Sequence, residues 1–375
     1  MEFGKITDEA MEKVKALIGK ERTKSSMHPL ADMLMTSDFN RRFCTGVADM
    51  NPVYLDEEYA KKSRYGGLIA HPGALCMMER ANGATDGFPG CHAIWRGVEY
   101  EWFKPVMVGD TITSKTYLEN VEEVESKFAG GRAAVQTHKT VGTNQNGEDF
   151  GTIRAFWHRF DRRGAAGTKK EKEQRGLAQY TPSDLEKIKE EYKQVSKRGA
   201  EPLYWEDVNV GDPIPFLIKG PTTIISRLAF EMMGGGGGWF VGHHLAFELF
   251  DKHPGLPFIN EQGVPEAPVS IHWSHERCQK YLGLPGAYDA GYERNIWLVE
   301  WLTNWIGDHG ALKNLKLRYT GFTILGDTTR CTGSVTGKRV EDGQHIVECE
   351  IKTQINVDDI VTTTGTAEVI LPSKG

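Results

Sequence analysis

Histidine is the side chain that exchanges protons most readily near neutral pH, and carboxylates are its usual partners in acid–base chemistry. The chain has 12 histidines. Those in suggestive settings are His71, at the end of Tyr65-Gly66-Gly67-Leu68-Ile69-Ala70-His71, His272 and His275 in an HxxH, and the adjacent His243-His244. The carboxylates in comparable settings are Asp49, just before Asn51-Pro52, Glu266, ahead of His272, and Asp289, in the glycine-bearing turn at 284–291. The HxxH finds no third ligand at convincing spacing, so no metal site is expected. A five-glycine run, Gly234 to Gly238, would let a ligand approach the backbone, or it is a plain connection. It lacks the Lys-Ser/Thr of a phosphate loop, which argues against nucleotide hydrolysis. His243-His244 is expected at the surface. The six cysteines contain no CxxC pair and read as reduced, buried thiols.

These residues need a scaffold, and 375 residues suffice for two domains. With 39% hydrophobic and 26% charged residues the chain can bury large cores. No apolar run is long enough for a transmembrane helix. The N-terminal MEFGKITDEAMEKVKALIGK is charged and amphipathic, unlike a secretory signal, so a cytoplasmic protein is expected. A net charge of −6 argues against nucleic acid or an anionic membrane as the partner.

The chain divides into residues 1–160, a charged linker at 161–204 and residues 205–375. Within the linker, Thr181 caps a helix whose first turn holds Pro182 and Asp184. Leu185, Ile188, Tyr192 and Val195 share one face, so this helix is expected to dock on the protein surface. The flanking parts repeat one another. Each has a glycine turn, a helix-like stretch and a second Gly-Asp turn, with Gly67 and Gly109-Asp110 in the first part and Gly286 and Gly326-Asp327 in the second. Alternating β-prone runs follow in each, at 112–118, 133–141 and 152–160, then at 329–338, 345–353 and 365–371, with Asn146-Gly147 and Asp342-Gly343 as turns. Helices are expected at 73–81 and 292–305. Trp297, Trp301 and Trp305, four residues apart, read as core. The pattern is α+β, an antiparallel sheet against one helix, occurring twice.

The string NPVYLDEEYAKKSRYGGLIAHPGAL at 51–75, with Asp49 before it and KPVMVGDT after it, resembles the MaoC-like acyl dehydratases. LPGAYDAGYERNIWLVEWLTNWIGDHGALKNL and TILGDT resemble the second hot-dog domain of the same family. The resemblance covers nearly all of the chain outside the linker. It implies a tandem (double) hot-dog fold, two antiparallel sheets each wrapped around a central helix. It also implies (R)-specific hydration or dehydration of an enoyl-CoA or 3-hydroxyacyl-CoA thioester, or the role of a non-catalytic partner half.

That chemistry needs a base for water, an acid for the α-carbon and donors for the thioester oxygen. The family's G-D-x-N-P-x-H motif supplies an aspartate and a histidine. In the first half Asp49, Asn51 and Pro52 match it, but Tyr54 stands where the histidine belongs, and an ordinary tyrosine with a pKa near ~10 is a poor base. The first half is therefore expected to be the degenerate one, with Asp49, Tyr54 and His71 binding substrate; Asp49 as a turn cap and His71 as a structural residue are the plainer roles. Counting back from Gly286 places His272 at the family's histidine position, with Glu266 one residue beyond the aspartate's. The expected catalytic group is His272 with Glu266, assisted by Asp289, while backbone N–H groups around Gly286 and Gly291 polarise the thioester. No metal or redox cofactor is needed, since coenzyme A arrives with the substrate. The competing functions are a hot-dog thioesterase and a non-catalytic acyl-CoA-binding subunit of a heteromeric hydratase. The expected assembly is a homodimer or a hetero-oligomer with a related hot-dog subunit.

Overall fold

The computed structural model describes residues 4–21, 33–78, 87–126, 130–161, 175–233, 241–357 and 359–375. The glycine run at 234–238 and residues 79–81 of the expected first helix lie outside the described residues.

Alternation writes the strands. In the Gln344–Ile355 strand Val347, Cys349, Ile351 and Thr353 face inward while Glu350 and Lys352 face water. A two-residue turn, Asp342-Gly343, with both φ angles positive, returns the chain from the strand before it. The first half supplies β1 (Met33–Leu34), β2 (His92–Trp102), β3 (Thr111–Ser126), β4 (Gly131–Thr143) and β5 (Asp149–Phe160). The second supplies β6 (Pro213–Lys219), a small hairpin of β7 (Phe258–Ile259) and β8 (Pro265–Glu266), then β9 (Ala311–Tyr319), β10 (Thr329–Glu341), β11 (Gln344–Ile355) and β12 (Val361–Leu371).

Apart from β7 and β8, the strands form one ten-stranded antiparallel sheet in the order β1-β3-β4-β5-β2-β9-β12-β11-β10-β6. Read from either end, this is the same five-strand arrangement, and the halves meet where β2 pairs with β9, from Gly97 opposite Arg318 to Glu101 opposite Asn314. The fold is therefore α+β and a double hot-dog, with the two sheets continuous across that seam. The seam is tight: a Cβ on Gly97 would lie 2.4 Å from the Leu317 carbonyl oxygen. The repeat extends to local detail. Asp110 accepts the Met107 N–H at 2.8 Å and Asp327 accepts the Ile324 N–H at 2.7 Å, while Ile69 bridges to Met107 and Tyr288 to Ile324.

The two halves differ in their helices. The second half has a central helix, Tyr292–Ile306, buried along nearly its whole length, with Trp297, Trp301 and Trp305 in a core that also holds Phe43, Leu75 and Tyr100 of the first half. In the first half the expected helix at 73–81 is, over its described part, a 3₁₀ turn, Pro72–Met77. Close packing explains the difference: a Cβ on Gly73 would sit 3.0 Å from Ile296 of the central helix. One core thus serves both halves.

The linker helix lies on the surface, but of the expected face only Ile188 is buried and Leu185 and Tyr192 stay exposed. Thr181 and Asp184 form a capping box on the Pro182–Gln194 helix. Glu191 takes Arg330 in two hydrogen bonds, and Tyr192 donates to the Gly220 carbonyl oxygen at 2.7 Å. Among the described residues no helix is long and apolar enough to cross a membrane.

Candidate active site

A helix exit brings Asp49 inward. The Ser37–Val47 helix ends on Ala48 in the left-handed conformation, with φ of 61°, and the Asp49 N–H then bonds the Cys44 carbonyl at 3.0 Å. Asn51 caps the short Pro52–Leu55 helix by accepting the Val53 N–H, which turns Tyr54 into the interior. Asn40 ties these segments together, donating to the carbonyls of Tyr54 at 3.1 Å and Ile69 at 2.7 Å. His71 caps the Pro72–Met77 turn.

Asp49 and His71, neither with any exposed surface, are thereby joined: His71 Nε2 lies 3.1 Å from Asp49 Oδ2. The other ring nitrogen, Nδ1, accepts the Gly73 N–H at 2.9 Å, which makes His71 the neutral tautomer protonated on Nε2. Phe43 and Tyr54 pack against the imidazole at ring distances of 5.1 and 4.9 Å. The second carboxylate oxygen of Asp49 accepts the Asn51 N–H at 3.2 Å and the Lys197 ammonium at 3.2 Å. Burial alone would raise the Asp49 carboxyl. His71, Lys197 and Lys219 outweigh it and hold the carboxyl at about 2. Tyr54 is pushed well above its ordinary value by burial first and by the Asp49 charge second, so it is a fixed O–H donor. Behind this group Lys219 pairs with Glu300 and donates to the Val47 carbonyl at 2.9 Å; burial raises Glu300 to about 7 against the pull of Lys219.

A cleft of about 750 Å³ opens beside this cluster. Its wall includes Asn51, Tyr54 and His71, apolar Met35, Leu75 and Phe150, and Thr303, Ile306 and Asp308 at the end of the central helix. It therefore lies between the halves, with an apolar interior and Arg64, Lys104 and Lys313 along its lining.

The second half does not assemble the group expected of it. Glu266 is not turned to His272: it pairs with Arg277 and accepts Asn260 Nδ2 at 2.6 Å. His272 is half-buried, faces the Tyr288 carbonyl oxygen through Nδ1 at 2.8 Å, and is held below the usual histidine range by burial, against the pull of Glu231. Asp289 is fully buried against Arg294 Nε at 2.5 Å, and Arg294 in turn donates to the carbonyls of Gly321 and Thr362. Gly286 packs on the His275 ring and Gly291 on Trp95. None of these five residues lines the cleft.

The repeat explains this outcome. Pro52 and Pro268 each open a short helical turn, with Tyr54 N–H bonding the Asn51 carbonyl and Ser270 N–H bonding the Ala267 carbonyl. Ser270, rather than His272, therefore stands opposite Tyr54, and Pro265 opposite Asp49. The bridges at Ile69 and Tyr288 put Ala290 opposite His71. The second half carries 18 positions between Pro268 and Gly286 where the first has 15 between Pro52 and Gly67, so counting back from the glycine falls short and lands on His272. The half expected to be degenerate holds the aspartate–histidine pair, and the other holds neither member. Lys197 was not singled out, because one lysine in a charged linker carries no pattern.

Residues 29–152, which contain Asp49, Tyr54 and His71, match the family described as the FAS1-like dehydratase domain region. No curated protein matches the chain in sequence. Among solved structures, one described as a MaoC-like dehydratase aligns over 96% of this chain and 100% of its own, with a TM-score of 0.63 and 16% identity. A putative MaoC domain protein dehydratase from Chloroflexus aurantiacus covers 92% of this chain and 94% of its own, at 0.58 and 11%. A conserved hypothetical protein from Mycobacterium tuberculosis with a double hotdog fold covers 96% and 97%, at 0.55 and 9%. At these identities the structures speak for the fold.

Proposed function

We propose that the chain is a hot-dog dehydratase of the MaoC-like kind, which hydrates an α,β-unsaturated acyl-CoA thioester, or dehydrates the 3-hydroxy form, in the cleft beside Asp49, Tyr54 and His71. The observation that carries this reading is the buried Asp49–His71 pair, whose histidine lines an apolar cleft. In hydration the base takes a proton from water as the water oxygen bonds the β-carbon. The double-bond electrons move towards the thioester oxygen, and the protonated base then returns that proton to the α-carbon, so that one water is added in all. His71 enters neutral, with Nδ1 as its acceptor. When Nδ1 takes the proton it can no longer accept the Gly73 N–H. The imidazolium then rests on the Asp49 carboxylate. Tyr54 contributes a phenolic donor at the family's histidine position. Coenzyme A enters as part of the substrate.

One observation favours a second reading, an acyl-CoA-binding module without turnover: both ring nitrogens of His71 are already bonded. The experiment is to incubate the purified chain with a panel of enoyl-CoA thioesters, following loss of the conjugated enone absorbance and release of free thiol. Enone loss without thiol release is expected, and His71→Gln should reduce it by about 100-fold or more, the scale of a general acid–base contribution. Binding without enone loss in the wild type would give the module reading, and thiol release would give a thioesterase.

A further inference from the structure

The linker does more than join the halves. After the Pro182–Gln194 helix the chain crosses the end of the central helix. Arg198 donates its N–H to the Asn304 carbonyl at 3.0 Å and its Nε to the Trp305 carbonyl at 2.8 Å, and the Asp308 N–H bonds the Gly199 carbonyl at 2.8 Å. The crossing is close, since a Cβ on Gly307 would lie 2.8 Å from the Gly199 carbonyl oxygen. Tyr59 of the first half donates to Asp308 at 2.5 Å and also bonds the backbone of Ala200, so both halves grip this segment. The one side chain it sends to the buried pair is Lys197, whose ammonium sits 3.2 Å from Asp49 Oδ1 while the side chain keeps 39% of its surface exposed.

We propose that Lys197 is a positioning residue of the active site, a linker-borne cation that acts through Asp49 to keep His71 neutral and ready to accept a proton. This inference rests on the acid–base role proposed for His71. The charges and titratable groups around the pair are Asp49, Lys197, Tyr54, Cys44, Lys219 and Glu300. Without Lys197, Asp49 keeps its negative charge and His71 faces that charge with one cation fewer. A nearby cation disfavours protonation of an imidazole, so its removal makes His71 easier to protonate. The fraction of neutral, base-competent His71 at a given pH then falls, and the acid limb of a pH–rate profile moves to higher pH. A lysine that only fastened the linker would lower activity without moving that limb.

The test is a proton-NMR titration of the His71 ring in the full chain, its resonance assigned by loss in His71→Gln. Wild type is compared with Lys197→Met, Lys197→Gln and Lys197→Arg. A half-exposed cation within a few ångströms of the carboxylate should move the midpoint up by about half to one pH unit in Lys197→Met and Lys197→Gln. Lys197→Arg should stay near the wild-type midpoint, and the acid limb of kcat should follow the NMR shift. An unmoved or lowered midpoint in whichever neutral variant folds would overturn the proposal, and so would a His71 that does not titrate in any of the proteins. Should the wild type turn over no thioester, the functional reading fails, while the NMR midpoint still decides the role of Lys197.

Discussion

Asp49→Asn tests the buried pair most directly. The carboxylate serves three donors, the His71 Nε2–H, the Asn51 N–H and the Lys197 ammonium. An amide of the same shape offers one acceptor oxygen and an NH2 that cannot accept. If its oxygen faces Asn51 and Lys197, its NH2 meets the Nε2–H of His71. The ring would then have to move its proton to Nδ1, which faces the Gly73 N–H. If its oxygen faces His71, the NH2 meets Lys197 and the Asn51 N–H. Either way a buried donor is left unpaired. The folded protein holds this carboxyl at about 2, from an ordinary 3.8. At ~1.4 kcal/mol per pKa unit, its interactions favour the ionised form by about 2 kcal/mol. The value is depressed on folding, so this stability is fully present above the unfolded value near ~4 and is lost as pH falls towards ~2. Urea unfolding of Asp49→Asn at pH ~8 should therefore show a loss of about 2 kcal/mol, and the part of it that comes from the Asp49 charge should vanish as pH falls towards ~2. A variant as stable as wild type at pH ~8 would refute the assignment of charge to this site.

Glu266→Gln should leave thioester turnover within about twofold while lowering the melting temperature, because Glu266 holds Arg277 and stands apart from the cleft; a loss of 100-fold in steady-state kinetics would return it to the mechanism. Gly97→Ala should cost about 2 kcal/mol or more in chemical denaturation, since its methyl would meet the Leu317 carbonyl across the seam, and an unchanged urea midpoint would contradict the tight pairing of β2 with β9.

The fold was legible where the sequence repeats itself. The alternating runs at 112–118, 133–141 and 152–160 lie in β3, β4 and β5, and those at 329–338, 345–353 and 365–371 lie in β10, β11 and β12. The two Gly-Asp turns were legible because each aspartate caps its own turn, a local event that needs no tertiary contact. The seam strands β2 and β9 went unread. Both are inner strands flanked by a neighbour on each side, and β2 carries a bulge between Trp95 and Gly97 that breaks its alternation. Asp49, Tyr54 and His71 were visible as residues, but their partnership joins positions 22 apart through a helix exit and a 3₁₀ cap, and no linear spacing records that. The count back from Gly286 lands on His272 because the second loop is three residues longer than the first, and no local pattern shows where the extra residues lie. Lys197 is hidden by distance, since a contact spanning 148 positions leaves no trace in a charged run.

Among the described residues the ten-stranded sheet ends on two short strands that are poor templates. At one end β1 is two residues long, Met33 and Leu34. At the other, β6 begins Pro213-Ile214-Pro215, so two of its first three residues have no N–H to offer, and the Pro215 carbonyl is already taken by the Trp301 indole at 2.5 Å. A stray extended segment, whether from a nascent chain or a partly unfolded copy, would find few backbone groups to pair with on β1 itself or on the start of β6. Joining the halves at β2 and β9 pairs, from Gly97 to Glu101, an edge that each five-stranded sheet would otherwise present, so the same pairing that builds the cleft also closes a site for edge-to-edge association.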